Sequence, residues 1–149
     1  MNDDIFFILH NISKKMRKIA DNELAVFGLT NTEMRILNMI YFFDADGCTQ
    51  DEFLSQMEID RSNVGRALKK LEKLEYIKRE KDKNDQRAFK VFLTKKGWSI
   101  KDDLLAIREN MKKTISLNYS EKEFERLVKL LKKADTNLTE ENYKEIKNK

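Results

Sequence analysis

The amino-acid sequence predicts a mainly α-helical fold carrying one small β-hairpin, on three observations. Pro is absent and Gly occurs only 4 times in 149 residues, so the chain lacks the turn residues an all-β design needs. Apolar residues recur at three- and four-residue steps over long stretches, the spacing of one helix face. Residues 74–97 break that pattern: the β-formers Tyr76, Ile77, Phe89, Val91 and Leu93 surround a charged stretch, Lys81 to Arg87, with no large apolar residue to bury.

The elements follow in order. Ile5, Ile8, Leu9, Ile12, Met16, Ile19 and Ala20 predict a first helix over about residues 3–26, ended by Phe27-Gly28-Leu29. Thr30 with Glu33 reads as a capping box, opening a second helix over residues 31–43 that buries Met34, Leu37, Ile40 and Tyr41. After a break at residues 44–47, Thr49 caps a third helix, residues 50–57, with Phe53, Leu54 and Met57 inward. Asp60 caps a fourth, residues 61–74, so only the turn Glu58-Ile59-Asp60 separates the two, the spacing of a helix-turn-helix. The hairpin follows as a wing of two to three strands. Thr94 caps a fifth helix with an apolar edge of Ile100, Leu104, Ile107, Met111 and Ile115. Ser120 with Glu123 opens a sixth, carrying Phe124, Leu127, Val128, Leu131 and Ala134, and the polar tail after Thr139 is expected to fray.

Residues 1–149 therefore read as one chain-level unit with a winged helix-turn-helix lobe at 30–96. The long helices of residues 1–27 and 97–149 carry apolar stripes that so small a lobe cannot cover, which makes them dimerisation segments. A two-fold axis between copies would space two fourth helices roughly one DNA turn, about 34 Å, apart.

Charge points the same way. The formal net charge is +4, but residues 61–96 hold thirteen Lys and Arg against five Asp and Glu, a net +8 that leaves the rest at −4. A positive segment on a slightly negative chain is a directed field, suited to a polyanion. One cysteine, Cys48, excludes an intramolecular disulfide, and no apolar run approaches the ~20 residues of a membrane span, so a cytoplasmic protein without a membrane partner is expected.

On the fourth helix Val64, Ala67, Leu68, Leu71 and Leu74 face inward, leaving Ser62, Asn63, Arg66, Lys69, Lys70 and Lys73 outside. Arg61, Ser62, Asn63 and Arg66 are of the types that reach base edges, while Lys69, Lys70 and Lys73 suit phosphate. A merely solvated face with salt-bridging lysines is the bland alternative. In the wing Lys81, Lys83 and Arg87 project into solvent. Arg87 is suited to a narrow minor groove, with Asp85 two residues earlier to orient it; an ordinary exposed ion pair is the alternative.

Asp60-Arg61-Ser62-Asn63-Val64, Leu71-Glu72-Lys73-Leu74, Ile77-Lys78-Arg79, Asp85-Gln86-Arg87-Ala88 and Val91-Phe92-Leu93-Thr94-Lys95-Lys96-Gly97 together resemble the MarR family of bacterial transcription regulators. The Asp-x-Arg wing followed by Leu-Thr-x-x-Gly is the most specific part. The resemblance implies a homodimeric winged helix-turn-helix binding a palindromic double-stranded DNA operator, most often a repressor released by a small ligand or by oxidation. It places residues matching Ser62, Asn63 and Arg66 in the major groove and the one matching Arg87 in the minor groove. The chain departs from the pattern at Glu75, where members often have Gly, and in lacking a wing Pro.

Three features bear on a signal. Cys48 admits a redox-responsive reading, but no cationic neighbour in sequence lowers its pKa, and related thiol sensors place their cysteine in the first helix, so a structural cysteine is expected. With one His and one Cys, no metal site and no cofactor are expected. Phe6, Met39, Phe42 and Phe43, with His10 at the edge, are candidates to line a cavity between the first two helices and the fifth, where relatives take small lipophilic or phenolic effectors; such residues at helical spacing equally suit a core. Nothing supports an enzyme: there is no histidine-centred triad, Gly-rich phosphate loop or metal spacing. The other class to weigh is a winged-helix module docking an acidic protein. It would call for an apolar anchor on the outer face of the fourth helix, and none is present.

Overall fold

The computed structural model describes residues 4–43, 46–56, 61–85 and 87–149, with all their side chains except those of Phe53 and Gln56. The expected Glu58-Ile59-Asp60 turn, its Asp60 cap, Met57, the facing of Phe53, and residues 44 and 45 of the expected break lie outside the described residues. The chain forms two compact units, Met1–Glu109 and Asn110–Lys149.

In the first unit, α1 (Ile5–Leu24) starts where the Asp4 side chain accepts from the Phe6 amide. It runs into a single 3-10 turn, Ala25–Phe27, and stops at Gly28, whose φ of 71° is open to glycine at little cost. α2 spans Asn31–Phe43. The Glu33 carboxylate reaches back to the Thr30 amide (2.6 Å) and hydroxyl (2.5 Å), satisfying a donor at the helix start. Ile36 is fully buried while Met34 is half-buried, so the inner face is rotated slightly from the one expected.

Cys48–Thr49 forms a short β1, and α3 (Gln50–Gln56) opens on a reciprocal cap: Glu52 accepts from the Thr49 amide at 2.6 Å and its own amide donates to Thr49 Oγ1 at 3.3 Å. Then come α4 (Arg61–Lys73), β2 (Ile77–Lys81) and β3 (Phe89–Leu93). The three strands form one antiparallel sheet in the order β1-β3-β2, with Ile77 opposite Leu93, Lys81 opposite Phe89 and Cys48 opposite Val91. Leu24, Ile36, Leu37, Ile40, Val64, Leu68, Leu71, Ile77, Val91 and Leu104 are fully buried, and each large aliphatic side chain contributes about 1.5–3 kcal/mol. This core draws one residue or more from α1, α2, α4, the sheet and α6, and so fixes α4 and the wing to one frame.

The single fifth helix expected after Thr94 is instead two: α5 (Lys95–Ser99) and α6 (Lys101–Ile115), broken at Ile100, which has φ −96° and ψ 2°. α5 is held down by Tyr41, whose hydroxyl donates to the Gly97 carbonyl at 2.6 Å, and by Thr94, whose Oγ1 accepts from the Gly97 amide at 3.0 Å.

The second unit contains α7 (Glu121–Asn137), opened by the Ser120–Glu123 capping box, and α8 (Glu140–Lys147). The tail expected to fray is thus helical. Thr139 caps it by accepting from the Asn142 amide at 3.1 Å, and Glu140 and Glu141 in the first turn with Lys144 and Lys147 in the last complement the helix dipole. Neither α7 nor α8 has a buried residue.

Candidate nucleic-acid interface

The positive surface begins with α4. Val64, Ala67, Leu68 and Leu71 are buried on its inner face and Leu74 is half-buried just beyond its end. The helix terminates in a Schellman turn: the Tyr76 amide donates to the Leu71 carbonyl at 3.0 Å and the Glu75 amide to that of Glu72 at 2.9 Å, with Glu75 at φ 63°. The reversal that glycine would make freely is made here by glutamate in the left-handed region. Lys96 Nζ donates to the freed Leu74 carbonyl at 2.8 Å, and the Tyr76 hydroxyl to the carbonyl of Phe27 at 2.8 Å, locking the helix end to the exit of α1.

On the outer face Arg61, Ser62, Arg66, Lys69 and Lys73 are exposed and Asn63 is half-buried. Arg66 Nη2 donates to Asn63 Oδ1, one turn earlier, so the two side chains suited to base edges are set against each other. Arg61 lies 3.5 Å from Asp51 at the start of α3. Lys70 differs. Its Nζ turns toward α2 and sits 3.1 Å from Glu33 Oε2, a buried carboxylate. Burial pushes the Glu33 carboxyl up, but the hydrogen bonds from Thr30 and Lys70 outweigh it and hold the group below its ordinary value. Glu33 is thus more than a cap, and its place on the third residue of α2 carries no sign of a partner 37 residues away.

The wing is ordered by its own main chain. The Asp82 amide donates to the Ala88 carbonyl at 2.9 Å, the Ala88 amide to that of Asp85 at 3.0 Å, and the Asn84 amide to Asp82 Oδ1 at 2.8 Å. Asp85 Oδ1 accepts from the main-chain amide of Arg87 at 2.9 Å. The carboxylate therefore shapes the backbone that presents Arg87, and among the described residues no carboxylate pairs with its guanidinium. Lys81, Lys83 and Arg87 are exposed. At the base of the wing Arg79 Nε lies 3.2 Å from Glu72 Oε2, joining β2 to α4.

The candidate effector residues lie on α1 and α2. Phe6, His10 and Phe42 are exposed, Met39 and Phe43 half-buried, and Phe42 meets Phe43 edge-on with ring centroids 6.0 Å apart. His10 lines a polar recess along α1 with Ser13, Lys14, Arg17, Lys18, Asp21 and Asn22. Cys48 is buried, and desolvation together with the neighbouring Glu52 carboxylate pushes its thiol up to about 12, which leaves little thiolate near neutral pH. Among the described residues no group of three or more His, Cys, Asp or Glu is placed to hold a metal ion, and no helix is long and apolar enough to cross a membrane.

This geometry has counterparts among known proteins to which the chain is similar. The model of the MarR family matches residues 29–89, the stretch from the start of α2 to the return strand of the wing. The chain is 26% identical to the HTH-type transcriptional regulator BilQ of Clostridioides difficile over 129 residues, 87% of this chain and 86% of that protein. It is 25% identical to the HTH-type transcriptional regulator MgrA of Staphylococcus aureus over 130 residues, 86% and 87% of the two. Among solved structures, that of the S. aureus MepR–DNA complex superposes with a TM-score of 0.85 at 27% identity, covering 91% of this chain and 98% of that one.

Proposed function

We propose that this chain, similar to the MarR family of transcriptional regulators, a class without enzymatic activity, is a sequence-specific regulator that binds a palindromic double-stranded DNA operator as a homodimer. The observation that carries this reading is the outer face of α4: Asn63 and Arg66 paired toward solvent, Lys69 and Lys73 following, and a wing presenting Lys83 and Arg87 on the same rigid frame. Asn63 and Arg66 are suited to adenine and guanine edges in a major groove, the lysines to phosphate, and Arg87 to the adjacent minor groove. That S. aureus MepR was solved with DNA supports the assignment.

Homodimerisation rests on what each unit leaves uncovered. Ile5, Phe6, Ile8, Leu9 and Ile12 are exposed along α1, and Leu130, Leu131, Leu138, Tyr143 and Ile146 in the second unit. Exposed apolar residues in this number on each unit call for a partner, and a second copy related by a two-fold axis supplies one for both units. Repression relieved by a small lipophilic or phenolic effector, with Phe42 and Phe43 among its contacts, completes the proposal, as does action in the cytoplasm, where the chromosome lies.

Selection from a pool of genomic duplexes, with affinity followed against salt, tests it. Enrichment of a palindrome with half-sites about one turn apart is the expected result. Weak, sequence-indifferent retention would overturn it.

A further inference from the structure

The three lysines of α4 are not equivalent. Lys69 and Lys73 are exposed, whereas Lys70 sends its ammonium inward to Glu33 at 3.1 Å, where the lysine side chain is 40% exposed and the carboxylate 9%. The Glu33 oxygen that takes Lys70 is the same one that accepts from the Thr30 amide and hydroxyl, so it is fixed by the start of α2 before Lys70 reaches it. Carboxylate and ammonium are joined across two packed helices, α2 burying Ile36, Leu37 and Ile40 and α4 burying Leu68 and Leu71. A charge held in this way is neutralised locally and its side chain is committed, and release to a phosphate would leave a buried carboxylate unpaired.

We propose that Glu33 is a positioning residue of the DNA-reading surface: it withdraws Lys70 from the phosphate backbone, so that Lys69 and Lys73 alone of these lysines neutralise phosphate. The depressed carboxyl of Glu33 agrees with a charged, paired state at neutral pH. This inference rests on the reading of α4 as the DNA-contacting helix and refines which of its charges act.

The salt dependence of binding separates the roles, because log affinity falls with log salt and each neutralised phosphate adds about 0.9 to the magnitude of that slope. Fluorescence anisotropy of full-length protein on a short mixed-sequence duplex is the measurement. Lys69→Met and Lys73→Met each lower the slope by about 0.9 per bound subunit, and Lys70→Met leaves it unchanged. Glu33→Gln raises it as the freed Lys70 ammonium reaches phosphate, and adding Lys70→Met to Glu33→Gln returns it to the starting value. A drop for Lys70→Met equal to that for Lys69→Met overturns the inference while leaving DNA binding intact, and so does a slope unmoved by Glu33→Gln in a folded protein. Failure of the unaltered protein to bind any duplex at low salt overturns both this inference and the functional reading beneath it.

Discussion

Gly97 lies so close beneath the main-chain carbonyl of Tyr76 that a β-carbon on it would overlap the oxygen. The contact joins the start of α5 to the turn that ends α4, and Thr94 reinforces it by donating its hydroxyl to the Glu75 carbonyl at 2.5 Å while its amide donates to that of Tyr76 at 3.1 Å. The Leu-Thr-x-x-Gly motif is thereby explained: the threonine bonds the chain reversal after α4, and the glycine lets a helix approach it.

Gly97→Ala is therefore expected to destabilise the protein by about 1–3 kcal/mol, since backbone on both sides must move. In an exposed helix the same change would stabilise by about 1 kcal/mol, so denaturant unfolding decides the matter by sign. A rise in midpoint would show that the close approach is absent.

Glu75 makes the opposite prediction. At φ 63° its β-carbon is strained, and Glu75→Gly relieves this for a net gain of about 1 kcal/mol after the larger unfolded-state entropy of glycine is subtracted. The urea midpoint should rise without a change in slope.

Glu33 gives a pH dependence. Its carboxyl is held below the ordinary glutamate value, so its contribution to stability is fully present above that ordinary value and is lost as pH falls through the depressed folded value. In stability measured from pH 7 down to pH 3, the unaltered protein should lose its advantage over Glu33→Gln within the acid limb. Parallel curves for the two would contradict the pairing with Lys70.

Cys48 should resist reagents. With its thiol raised to about 12 and its side chain buried, iodoacetamide at pH 8 should label it in the native protein only as fast as the fold opens, and at full rate in urea. Rapid native labelling, or loss of DNA binding at low peroxide that Cys48→Ser abolishes, would restore a redox role.

For the wing, Arg87→Ala is expected to weaken operator binding by about 1–3 kcal/mol with the dimer intact by sedimentation, while Asp85→Ala loosens the loop and weakens binding by less. Because Asp85 holds the Arg87 amide, Asp85→Asn, which keeps an acceptor oxygen, should preserve most of the affinity. Equal losses for Asp85→Asn and Arg87→Ala would mean that the carboxylate acts through its charge.

Much of this molecule is legible in one dimension because it depends on local spacing. Helix faces, the caps at Thr30, Thr49, Thr94 and Ser120, and the concentration of positive charge between residues 61 and 96 are properties of neighbours in sequence, and local pattern reports them directly. Even so, a polar tail concealed α8, since its stability comes from a cap and end charges rather than an apolar stripe.

Other features required the folded chain. That Lys70 faces Glu33 and not solvent, that Gly97 meets Tyr76, that Asp85 holds an amide and not a guanidinium, and that the fifth helix breaks at Ile100 all depend on contacts absent from local pattern. Two of these, Lys70 with Glu33 and Gly97 with Tyr76, join groups within reach only after the core has set α2, α4 and the hairpin at fixed separations. Sequence determined which residues are charged, apolar or able to cap; tertiary packing decided which of those charges face outward, because burial and hydrogen bonding select among side chains that a helical wheel treats as equal.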